Sequence, residues 1–94
     1  MKLSRTQVSK RMKRLDGWTL KTGAIKKQFT FAGFPQAITF VDRLARKAQA
    51  ADHHPDILIK YKRVTLTYST HSEGGLTAKD FTGAAMADKL ALRP

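Results

Sequence analysis

Residues Gln49 to Asp80 read QAADHHPDILIKYKRVTLTYSTHSEGGLTAKD, and the changes of period along this stretch decide the fold. A helical pattern arrives from the N-terminal side, but Pro55 disfavours helical geometry at His54, so the helix should stop at about Asp52 with His53 and His54 on its exit. Ile57, Ile59 and Tyr61 then alternate with Leu58 and Lys60, as a strand with one strongly apolar face does. After a turn near Lys62 and Arg63, Val64, Leu66 and Tyr68 alternate with Thr65, Thr67 and Ser69, which predicts a second strand and hence a hairpin. His71 closes that strand-like run. Gly74 and Gly75 break it, Thr77 and Asp80 make a capping-box pattern, and the alanine-rich segment from Phe81 to Leu92 is helical.

The N-terminal half repeats the theme. Ser4 and Gln7 fit a capping box, and Val8, Met12 and Leu15 recur at helical spacing among Lys10, Arg11, Lys13 and Arg14, predicting a short amphipathic helix that ends near Asp16 and Gly17. From Trp18 to Phe31 the period falls to two, with Ile25, Lys27, Phe29 and Phe31 on one face and a turn near Thr22 and Gly23. Gly33, Phe34 and Pro35 interrupt the chain. Ala37, Ile38, Val41, Leu44, Ala45, Ala48 and Ala51 then return to helical spacing. The order is α-β-β-α-β-β-α. Two hairpins predict an α+β fold in a single domain over residues 1–94, a four-stranded antiparallel sheet with three helices on one face.

Composition sets bounds on function. A chain of 94 residues can bury one core. With no cysteine there is neither a disulfide framework nor a thiolate zinc site. No apolar run is long enough to span a bilayer and the basic N-terminus lacks the apolar centre of a signal peptide, so the chain reads as cytoplasmic with no membrane partner. The net charge of +11 is concentrated in residues 1–27, which carry nine Lys or Arg against Asp16 alone. Such a field attracts anionic partners, but no nucleic-acid motif or interleaved aromatics accompany it, so a solvated surface is the favoured reading over nucleic-acid binding.

All three histidines lie within the opening stretch. Metal ligation is disfavoured, because adjacent residues in an extended segment point apart and the i, i+4 pair of helical zinc ligands is missing. Two imidazoles near neutral pH suit proton delivery at one end of a substrate and removal at the other. The plainer alternative is a His-His-Pro segment that only ends a helix.

On these residues the chain resembles the pterin-4a-carbinolamine dehydratases: His53, His54 and Pro55, then Tyr61, then Thr70 and His71, then Gly75, Leu76, Thr77 and Asp80, with Gly17, Trp18 and the run Lys27, Gln28, Phe29 also in family style. Gln49 stands where members usually carry an ionisable residue, four positions before the first histidine. The resemblance implies dehydration of 4a-hydroxytetrahydrobiopterin to quinonoid dihydropterin, in support of tetrahydrobiopterin recycling, without metal or organic cofactor. It implies that His53 and His71 act as acid and base and that His54 mainly binds the pterin. Pro55, Thr70, Ser72, Asp80, Trp18 and Gln49 are expected around the substrate, with Asp80 orienting a histidine or capping the last helix, and Tyr61 as packing. It also implies a homo-oligomer, a dimer or a tetramer built partly by pairing sheet edges. The alternative is a catalytically weak dehydratase-like binding or assembly factor; the family's vertebrate members also partner a homeodomain transcription factor.

Overall fold

The computed structural model describes residues 1–92. Ser4 opens α1 (Arg5–Met12) with a complete capping box, its hydroxyl accepting from Gln7 N–H at 3.2 Å while Gln7 Oε1 accepts from Ser4 N–H at 2.8 Å. The helix ends earlier than its apolar spacing predicts. Arg14 N–H and Leu15 N–H bond three residues back, to Arg11 and Met12, so the last turn tightens and stops before Asp16.

The first hairpin joins β1 (Thr19–Lys21) to β2 (Ala24–Thr30) through Thr22 and Gly23, whose φ of 68° is the left-handed geometry that glycine adopts without strain. Trp18 precedes β1 rather than opening it. The central helix α2 (Phe34–Ala51) carries a proline in its first turn, then β3 (Asp56–Lys60) and β4 (Arg63–Tyr68) form the second hairpin, and α3 (Ala78–Ala91) ends the fold. The sheet order is β1-β2-β4-β3, antiparallel throughout, with Ile25 opposite Tyr68 and Phe29 opposite Val64 at its centre.

Period-two alternation sends Ile25, Phe29, Val64, Leu66 and Tyr68 to one face, where all are buried. Against them lie Ala37, Phe40, Leu44 and Ala48 of α2 and Phe81, Ala84, Ala87 and Leu90 of α3. The expected α+β architecture is thus present. Its central helix is rotated relative to the reading from spacing: Phe40 is core, whereas Ile38, Ala45 and Ala51 are exposed, and Ile38 and Ala45 form, with Phe34, a second apolar stripe beside the buried one.

Two further expectations change. The loop between β3 and β4 is Tyr61–Lys62, one residue earlier than read, because facing Ile57 with Leu66 and Ile59 with Val64 pairs Lys60 with Arg63. Tyr61 therefore takes φ 55° at the turn and is exposed rather than packed. The strand before His71 ends at Tyr68. His71–Glu73 is a single 3₁₀ turn inside a loop closed by the Thr70–Gly75 bridge.

Candidate active site

The end of α2 aims the two adjacent histidines apart. Asp52 adopts φ 51°, and His53 N–H returns to Ala48 O at 3.1 Å, a six-residue closure that reverses the chain after a helix. His53 is thereby turned inward and His54 is left exposed.

Behind His53 stands Asp80, fully buried on the first turn of α3. Its Oδ1 lies 2.6 Å from His53 Nε2, and its Oδ2 accepts from Thr70 Oγ1 at 2.8 Å and from Thr77 N–H at 2.9 Å. Thr70 and Thr77 hydroxyls meet at 2.9 Å. A buried carboxylate is tolerable only when it is hydrogen-bonded, and these three contacts reach both of its oxygens. Because a carboxylate only accepts, Nε2 of His53 carries the hydrogen, leaving Nδ1 as the other ring nitrogen. Asp80 thus performs both roles foreseen for it, helix cap and histidine partner. Thr70 spends its hydroxyl on this network.

His54 and His71 meet elsewhere, in a cleft of about 410 Å³ at the end of the sheet. Thr22 and Gly23 of the β1–β2 turn, Ala24 at the start of β2, Asp56 with its cross-strand neighbour Thr67, and Ser69, Gly74 and Gly75 complete its lining. Ser69 Oγ donates to Gly23 O at 2.8 Å and ties the turn to the strand that leads to His71. Larger grooves of about 490 and 930 Å³ lie against α1 but contain no histidine. Gln49 Oε1 accepts from His54 Nε2 at 2.9 Å, so position 49 serves the second histidine and not the first, as its spacing from His53 had implied. Among the described residues, no cluster of three or more His, Asp or Glu is arranged to hold a metal ion.

The sequence-predicted residues therefore divide into a cleft pair, His54 and His71, and a buried network of His53, Thr70 and Asp80. Pro55 is buried and does not line the cleft. Ser72 is exposed on the 3₁₀ turn and does not line the cleft, and Trp18 is core, its indole N–H directed to Asp88 at 3.1 Å. Thr77 was foreseen only as a helix cap; residues not foreseen are Tyr68, whose ring stacks on His53, and the cleft residues Asp56, Thr67, Ser69 and Thr22–Ala24. A signal for part of this was present: Thr67, Ser69 and His71 are spaced by two, as residues on one face of an extended chain are.

A small antiparallel α+β domain with a histidine-lined cleft and a buried histidine–aspartate pair is the class this geometry defines. The match to known proteins makes it specific. The family model for pterin 4 alpha carbinolamine dehydratase matches residues 1–90, and the chain belongs to that family. A relative in Roseiflexus castenholzii, provisionally named pterin-4-alpha-carbinolamine dehydratase, is 47% identical over 88 residues, covering 94% of this chain and 95% of its own. One in Sulfolobus acidocaldarius with the same provisional name is 40% identical over 90 residues, covering 96% and 99%. Among solved structures, a transcriptional coactivator/pterin dehydratase from Brucella melitensis superimposes with a TM-score of 0.94 at 33% identity, over 97% of this chain and 99% of that one. A pterin dehydratase-like RuBisCO assembly factor of the alpha-carboxysome shares the fold, with a TM-score of 0.67 at 24% identity over 82% and 89%.

Proposed function

We propose that the protein dehydrates 4a-hydroxytetrahydropterins to the quinonoid dihydropterin, with imidazoles moving the protons. The observation that carries this reading is that the fold delivers His54 and His71 to one cleft and anchors His53 on a buried carboxylate at 2.6 Å. The cleft, at about 410 Å³, falls in the size range of small-molecule sites and suits a bicyclic ring. Loss of water from the carbinolamine requires a proton on the leaving hydroxyl and removal of one from a ring nitrogen. Following the family resemblance, those transfers are assigned to His71, which lines the cleft, and to His53, whose side chain is outside the lining but keeps 13% of its surface exposed. Asp80 fixes the tautomer of His53 and stabilises its imidazolium when it holds the extra proton. His54, hydrogen-bonded to Gln49, is assigned chiefly to binding the pterin, with Ser69 and Thr67 in the same cleft lining.

Supporting an oligomer, β3 is an edge strand with Ile57 and Leu58 exposed, and the second stripe of α2 leaves Phe34 and Ile38 in solvent. A cytoplasmic setting and a role in tetrahydrobiopterin recycling complete the proposal. Among the described residues no helix is long and apolar enough to cross a membrane. The test is decay of 4a-hydroxytetrahydropterin with purified, chelator-treated protein. Acceleration over the uncatalysed rate is expected. An unchanged rate would overturn the enzyme reading in favour of a dehydratase-like binding or assembly factor, to which the domain's likeness to the carboxysomal assembly factor would then give a starting point.

A further inference from the structure

His53 is held by two constraints, and only one of them is its hydrogen bond to Asp80. The other is a ring. Tyr68, the last residue of β4, lies nearly parallel to the imidazole, with centroids 6.0 Å apart and planes 20° from each other. A hydrogen bond along one edge of an imidazole still permits the ring to rock about that bond; a second ring against its face opposes the rocking.

The Tyr68 ring is itself confined. Trp18 leans on it, with centroids 6.0 Å apart, and on α3 the space beside it exists only because residue 83 is glycine. A Cβ at Gly83 would sit 2.5 Å from Tyr68 Cε1 and 2.7 Å from Cζ, closer than real side chains approach. The glycine is mid-helix, where it costs about 1 kcal/mol relative to alanine, and its φ is not of the kind that requires glycine. The slot for the tyrosine accounts for its presence. Gly83 follows Asp80 by three residues, hence on the same side of α3. One helix face thus supplies both the carboxylate at the edge of His53 and the recess for the ring on its face.

We propose that Tyr68 is a positioning residue for His53, seated in the slot left by Gly83, and that the Tyr68–Gly83 pair sets the orientation of the imidazole. Its catalytic consequence rests on the dehydratase reading; the positional claim does not. The phenol oxygen takes no part, having no hydrogen-bond partner among the described residues. The aromatic ring alone is what the proposal needs.

The experiment follows the His53 ring signals by NMR in the full-length protein and kcat and KM in parallel. Tyr68→Phe keeps the ring and should leave the His53 signals and kcat close to wild type. Tyr68→Leu removes the ring; His53 ring protons should lose the shielding of the stacked ring, and kcat should fall about tenfold or more with little change in KM, since small misplacements of a catalytic group act on the chemical step. Gly83→Ala should reproduce the displacement, and combining it with Tyr68→Leu should restore the stability that either change removes, because the methyl group enters the vacated slot. Tyr68→Met fills the slot without a ring and answers the same question if the leucine variant does not fold. His53 signals in a folded Tyr68→Leu or Tyr68→Met variant that superimpose on those of wild type would overturn the proposal. A wild type without dehydratase activity would overturn the function while leaving the NMR result to decide the positioning.

Discussion

His53 Nε2 and Asp80 Oδ1 lie 2.6 Å apart, joining the exit of the central helix to the first turn of the last one across 27 residues of sequence. The carboxylate is fully buried and the imidazole side chain is 13% exposed, so this contact is both a tertiary clasp and the orientation of a proton-transferring group. Asp80→Asn keeps the size of the side chain but offers His53 either a neutral acceptor or a competing donor. We expect kcat to drop by about 10² or more, together with a stability loss of about 1–3 kcal/mol from the disrupted buried hydrogen bonds. Steady-state kinetics and urea unfolding check the two effects separately. Activity near wild type would show that Asp80 serves only the helix cap.

Gln49 provides a second test, because it bonds His54 rather than the first histidine. Replacing its neutral amide with a carboxylate stabilises the imidazolium of whichever ring it touches. Gln49→Glu should therefore perturb the ring signals of His54 and leave those of His53 in place. NMR titration of the three ring signals distinguishes them. A shift confined to His53 would contradict the observed pairing.

The fold was legible from period and punctuation: the alternation in residues 57–68, Pro55 and Gly74–Gly75 were enough to place the second hairpin between two helices. The site was legible only in part. Sequence spacing made His53 and His54 equivalent neighbours, and what separates them is the left-handed Asp52 and the His53-to-Ala48 closure, a tertiary choice that no local pattern announces. Tyr68 read as one more apolar position of a strand, since its alternation with Thr67 and Ser69 says that it is buried but not what it touches. Phe40 was missed for a related reason. Two apolar stripes run side by side on α2, and only packing against the sheet selects the one containing Phe40 over the one containing Ile38.

Tyr68 also predicts an alkaline weakness. Burial, and secondarily the negative charge of Asp80, raise its phenol from 10.0 to about 12. The unfolded chain releases this proton near pH 10 while the native state holds it, so between pH 10 and 12 the unfolded state binds fewer protons and stability falls as pH rises. The loss is on the order of 1 kcal/mol at pH 11 and approaches a limit of a few kcal/mol above pH 12. It is negligible below about pH 9. Tyr68→Phe lacks the ionisation, so its stability advantage over wild type should be constant up to about pH 9 and widen above it. Parallel unfolding curves at pH 8 and pH 11 measure the difference; an equal gap at both would show that the phenol ionises as readily in the native state.

On the inner face, Lys27 stands between Ile25 and Phe29 and escapes burial by reaching Asp88 at 2.8 Å and Asp16 O at 2.9 Å, while Trp18 N–H shares the same carboxylate. Removing the shared acceptor strands the Trp18 N–H and leaves Lys27 with Asp16 O alone. Asp88→Ala should cost about 1–3 kcal/mol, whereas Lys27→Met, which replaces a partly buried cation by an apolar chain of similar length, should cost less or even stabilise. Thermal unfolding of both variants decides the order. The reverse ranking would mean that the ion pair itself, rather than satisfaction of Trp18 and Lys27, holds α3 to the hairpin.

The last prediction concerns the division of labour among the histidines. If His53 and His71 transfer protons and His54 chiefly binds, His53→Ala and His71→Ala should lower kcat, while His54→Ala should act mainly on KM, since loss of uniform binding leaves the chemical step alone. Each proton transfer is worth about 10² to 10⁴ in rate. The two epimers of the carbinolamine present their hydroxyl groups to opposite faces of the ring, so each single variant should retain activity toward one epimer through the remaining imidazole. His53→Ala carries an extra burden, because it leaves the buried carboxylate of Asp80 without one of its partners, and it should lose stability as well as rate. His71, on its exposed 3₁₀ turn, should lose rate alone. The double variant should fall to the uncatalysed rate with both epimers, measured by stopped-flow absorbance. Wild-type turnover in that variant would remove the imidazoles from the mechanism and leave the cleft to be explained by binding.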